Sequence, residues 1–83
     1  MKSKSTPDER FLIKIYETAM ENGENPMAPV NFQKVAKSLG QKETATKNMI
    51  KHLAQANFLK KIDEMSLRLT QRGCQFVEDA LST

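Results

Sequence analysis

The sequence predicts a mainly α-helical fold carrying one small β-hairpin, on three observations. Glu43–Asn57 (ETATKNMIKHLAQAN) places Thr46, Met49, Ile50, Leu53 and Asn57 on one face at 3.6 residues per turn. A shorter amphipathic stretch, Phe32–Leu39, precedes it across Gly40. Two strand-like runs, Phe58–Ile62 and Met65–Leu69, follow it on either side of Asp63-Glu64.

Met1–Thr6 reads as a flexible polar lead-in and 7–83 as a single domain. Thr6-Pro7-Asp8-Glu9 is a strong helix start. Thr6 can cap, Pro7 suits the first turn, Glu9 completes a T-x-x-E box, and both acids sit at the positive end of the helix dipole. The first helix is expected to run to about Asn22, burying Phe11, Leu12, Ile15, Tyr16 and Ala19, with Gly23 as its stop. Pro26 and Pro29 exclude a continuous helix through GENPMAP, where Met27 and Val30 are expected to pack as a short extended segment.

Asn31 is the expected cap of the second helix, whose stripe is Phe32, Val35, Ala36 and Leu39. Gly40 can adopt the left-handed conformation that ends it. The third helix begins two or three residues later, so the two form a helix-turn-helix. No Ser or Thr stands directly before Glu43: Lys42 occupies the cap position, with Thr44 the alternative that would shorten the helix. After the hairpin, Thr70 caps a last helix with Gly73, Phe76, Val77, Ala80 and Leu81 on one face. Met20, Met27, Met49 and Met65 read as core filler.

Charge is distributed unevenly. Residues 1–33 sum to −1 and residues 62–83 to −2, whereas residues 34–61 hold seven lysines against Glu43 alone, a net +6. The third helix turns Thr44, Asn48, Lys51 and Gln55 outward with Lys47 on the flank, a basic and amide-bearing face suited to nucleic acid. Lysines that merely solvate exposed helices are the plainer account of the charge.

Other function classes find little support. No run approaches the roughly 20 apolar residues of a membrane span, and MKSKST lacks an apolar signal core. One cysteine builds no disulfide framework, so the chain reads as cytoplasmic or nuclear, nucleoid-associated if it binds DNA, and its methionine start as a nearly complete natural chain. Cys74 and His52 alone do not make a metal site. Cys74 reads as a part-buried small hydrophobe and His52 as a solvated side chain or a phosphate contact. LGQKET is not a phosphate-binding loop, and no nucleophile–base–acid set is present. No enzymatic activity, cofactor or metal is expected.

The order helix, helix, helix, hairpin, helix resembles the winged-helix superfamily over about Asp8–Leu81. VNFQKVAKSLG resembles its positioning helix, and TKNMIKHLAQANFLKK a recognition helix running into a wing strand. LRLTQRG resembles the return strand and turn of MarR-like and related bacterial and archaeal regulators. The resemblance implies double-stranded DNA as partner, with the third helix in the major groove. Carried over, it implicates Thr44, Lys47, Asn48 and Lys51 at base edges or phosphates, Lys34, Lys37 and Lys42 as phosphate contacts, and Lys60, Lys61 and Arg68 as the wing's share. A homodimer through the first and last helices would supply affinity that one small module lacks. The wing departs from the family pattern, being short and tipped by Asp63-Glu64. That acidic tip favours the alternative reading, a protein-interaction module that does not bind DNA.

Overall fold

The computed structural model describes residues 6–82; the expected flexible lead-in falls largely on residues 1–5, outside the described residues. Four helices and a three-stranded sheet follow in the order α1 (Pro7–Gly23), β1 (Val30–Asn31), α2 (Phe32–Ser38), α3 (Glu43–Gln55), β2 (Leu59–Lys61), β3 (Ser66–Leu69) and α4 (Gln71–Leu81). The helix starts follow local chemistry. The Thr6 hydroxyl accepts from the Glu9 N–H at 3.1 Å, and Thr70 does the same for Gly73 at 3.0 Å. Asn31 Oδ1 accepts from Gln33 and Lys34 N–H. Each cap satisfies donors that the first turn leaves without a helical acceptor.

Three of the four helix ends are set by left-handed residues, two of them where the sequence did not indicate it; among the described residues α4 closes without one, at Ser82. Gly23 is the last residue of α1 rather than its stop; Glu24 takes the left-handed conformation at φ 56°, its N–H donating to Met20 O at 2.8 Å. α3 ends at Gln55, so Asn57 is not on its apolar face. Asn57 sits at φ 67° and is exposed. The bonds Phe58 N–H to Leu53 O (2.9 Å) and Asn57 N–H to Ala54 O (3.0 Å) form the paired closure of a Schellman motif. The same pair closes α2 around Gly40 at φ 67°, from Gln41 to Ala36 and from Gly40 to Lys37, with Leu39 as cap.

The extended segment before α2 is a strand, so the hairpin belongs to an antiparallel sheet ordered β1-β3-β2. Val30 pairs with Leu67 and Asn31 with Ser66, and Phe32 N–H donates to Met65 O at 3.1 Å. Met27 lies outside that strand and is exposed.

Leu59, Leu67 and Leu69 turn from the sheet onto Phe11, Leu12, Ile15 and Ala19 of α1, Val35 of α2, Ile50 and Leu53 of α3 and Val77 of α4, all within one buried cluster. Tyr16 and Phe76 are half-buried at its margin. Three of the methionines expected in the core are not there. Met20, Met27 and Met65 are exposed, and only Met49 packs against the cluster. Strand alternation does not continue to Met65, because the turn takes over at that residue. Leu81 is likewise exposed, since α4 overruns the core in its last turn.

Candidate nucleic-acid interface

α3 stands on the core through three side chains, Thr46, Ile50 and Leu53. Thr46 is the only buried polar residue among the described residues, and its hydroxyl donates back to Lys42 O at 2.8 Å. The start of α3 is thereby held from within the helix. Lys42 is the N-cap by backbone geometry and makes no side-chain cap, which settles the choice against a helix shortened to Thr44. With the apolar stripe fixed inward, Thr44, Asn48, Lys51 and Gln55 are all exposed along the opposite side. Glu43 and Lys47 lie on one flank as an i,i+4 ion pair at 3.6 Å, with side chains 71% and 67% exposed. At that exposure the pair contributes little and leaves Lys47 available to an outside acceptor.

The flank faces a crevice between α2, α3 and the hairpin, lined by Phe32, Gln33, Glu43, Lys47, Lys61, Glu64 and Met65. A second hollow adjoins it along α2 and α3, with Gln33, Lys37 and Glu43 at its edge. Lys37, Lys47 and Lys61 are thus brought to one connected surface. Gln33, which the sequence reading passed over, lies on that surface too. Its signal was the four-residue spacing to Lys37 on the exposed side of α2. Lys34 is exposed about 100° round the helix from Gln33.

The hairpin separates its own cations. Lys61 is in register with Leu67, and its Nζ lies 5.8 Å from the Phe32 ring centroid, on the helix side. Lys60 and Arg68 are partners of each other on the opposite face; Arg68 is half-buried and Lys60 exposed. At the turn, Asp63 Oδ1 accepts from Met65 and Ser66 N–H, both at 2.8 Å. The Met65 N–H is the main cause that holds the Asp63 carboxyl below its ordinary value; desolvation opposes it, and Ser66 and then the Lys61 charge act in the same direction as Met65. Asp63 therefore serves the turn as a bound carboxylate.

The Cys74 thiol and the Tyr16 hydroxyl are structural. Burial, then Glu78, pushes the Cys74 thiol up, so it stays protonated and inert at neutral pH. The Tyr16 hydroxyl donates to Glu78 at 3.4 Å and joins α1 to α4. No group of three or more metal-ligating side chains occurs among the described residues, and none of their helices is long and apolar enough to cross a membrane.

No protein-family model matches the chain, and no curated protein matches it. Solved structures do. The crystal structure of RV1404 from Mycobacterium tuberculosis superposes with a TM-score of 0.66 at 23% identity, over 96% of this chain and 53% of that one. A mutant of MepR from S. aureus superposes with a TM-score of 0.68 at 17% identity, over 94% of this chain and 57% of that one. The fold is the winged helix. In its terms α2 and α3 are the helix-turn-helix and β2–β3 is the wing. The chain spans a little over half the length of the two structures it matches.

Proposed function

We propose that this winged helix binds double-stranded DNA as a transcriptional regulator or accessory DNA-binding factor and has no enzymatic role. The observation that carries the reading is the exposed side of α3, where Thr44, Asn48, Lys51 and Gln55 form a face without an acid. Asn48 can pair an adenine edge with both atoms of its amide, and Lys51 can meet guanine acceptors or phosphate. Lys47, Lys37 and Lys61 border the same end of the helix, where phosphates flank a groove-bound helix. Lys34 and Lys42 extend the positive surface along the helix-turn-helix. Electrostatic capture by this region precedes insertion of α3 in the mechanism we favour.

A homodimer through α1 and α4 would supply affinity that one small module lacks, and it would place two α3 helices on successive groove segments. Cytoplasmic residence goes with this reading. The competing account, a protein-interaction module, draws on the acidic turn and on the exposed Ile62 and Met65 beside it.

Fluorescence anisotropy with a mixed-sequence duplex at several salt concentrations separates the two. Neutralising about 4–6 phosphates gives a log–log salt slope of about −4 to −5. A folded protein that binds no duplex at low salt would rule out general DNA binding and leave the protein-interaction account.

A further inference from the structure

Lys60 and Arg68 face each other across β2 and β3, in register and on the side of the ribbon away from Lys61. Like charges directly opposite on an antiparallel pair repel, with Cβ atoms about 4.5–5.5 Å apart. Neither side chain makes an ion pair among the described residues; Arg68 donates only to the Leu69 carbonyl, at 3.4 Å. The acids of the turn do not relieve them. Asp63 is bound to backbone N–H groups and acts on Lys61, and Glu64 lines the crevice on Lys61's side.

A third cation adjoins this face. Phe58 stands just before β2, and its carbonyl accepts from Thr70 N–H just after β3, which continues the pairing by one residue. The Arg72 guanidinium lies 5.4 Å from the Phe58 ring centroid, and Phe76 packs against the same ring at 5.1 Å. A stacked guanidinium keeps its N–H edge free for an outside acceptor. Of the acids on α4, Asp79 accepts from Gln75 and Glu78 faces Tyr16.

We propose that the outer face of the wing, formed by Lys60, Arg68 and Arg72, is a second duplex-binding surface, so that one molecule holds two DNA segments. This rests on the reading of α3 as a DNA-binding helix. Charge complementarity selects the occupant. The cations are spread over a strand face and a neighbouring helix, and duplex DNA offers a charge about every 1.7 Å of axis wherever such a patch lands.

Bridging is measured with the full chain, a duplex fixed to beads and a second, fluorescent duplex of unrelated sequence, with single-duplex affinity measured in parallel. The wild type is expected to carry the fluorescent duplex to the beads. Lys60→Glu/Arg68→Glu should cut that capture at least about tenfold, a clearly larger loss than the one it causes in single-duplex affinity. If charge reversal unfolds the hairpin, Lys60→Gln/Arg68→Gln serves instead. Single-duplex binding without capture by the wild type overturns the second surface and leaves the α3 reading intact. Undiminished capture by the variant overturns it as well, and so does a parallel loss of single-duplex affinity, which would assign these cations to the duplex on α3. Absence of any duplex binding would mean that the α3 reading itself has failed.

Discussion

Gly73 lies on the buried side of α4, where its missing side chain makes room for another residue's backbone. A Cβ at this position would overlap the Phe58 carbonyl oxygen, which already accepts from Thr70 N–H at 3.1 Å. Backbone cannot swing aside as a flexible side chain can, so Gly73→Ala should cost about 3 kcal/mol or more, read as a lower urea midpoint. Glu24 presents the opposite case. It holds a left-handed conformation in open surroundings, a strain of roughly 1–2 kcal/mol for an L residue. Glu24→Gly should therefore add up to about 1 kcal/mol of stability, read as a higher urea midpoint. Asp63 gives a pH dependence with a definite sign. Its folded pKa lies below the ordinary 3.8, so the stabilisation is complete above that value and is lost as the pH falls through the depressed folded value. The difference in stability between wild type and Asp63→Ala should shrink over that acid window, and a carboxyl NMR titration should find Asp63 titrating below 3.8.

At the scale of elements, starts were easier to read than ends. A cap such as Thr6, Asn31 or Thr70 acts within three residues of itself, so its chemistry is written locally. A helix end depends on which residue accepts the left-handed conformation. Gly40 declared itself, whereas Glu24 and Asn57 did not. Asn57 is tied by its carbonyl to the Thr70 hydroxyl at 2.5 Å, a partner 13 residues away. That tie positions both the wing and the start of α4. Asn57→Gly should be neutral or slightly stabilising, and Asn57→Val should cost about 1 kcal/mol or more, by thermal or urea unfolding. β1 was legible only as an extended segment. Two residues do not specify a strand until Leu67 and Ser66 arrive opposite them.

For the whole molecule, the readable part of the interface was the part with a period. Helical spacing alone turned Thr44, Asn48 and Lys51 outward and buried Ile50 and Leu53, as the structure has them. The division of Lys60 and Arg68 from Lys61 needed the strand register, and the approach of Gln33 to Lys47 and Lys61 needed the packing of α2 against α3 and the wing. The charge of the middle third is thus divided, with Lys60 on the outer face of the wing and Lys37, Lys47 and Lys61 on the side of α3. The measurement that tests this account most directly is duplex binding by Lys47→Glu/Lys51→Glu, followed by anisotropy at low salt with circular dichroism on the same sample. We predict an unchanged helical spectrum, with affinity reduced at least about tenfold and the salt slope made shallower by about 2. A folded double variant that binds duplex DNA as the wild type does would contradict the placement of DNA on α3.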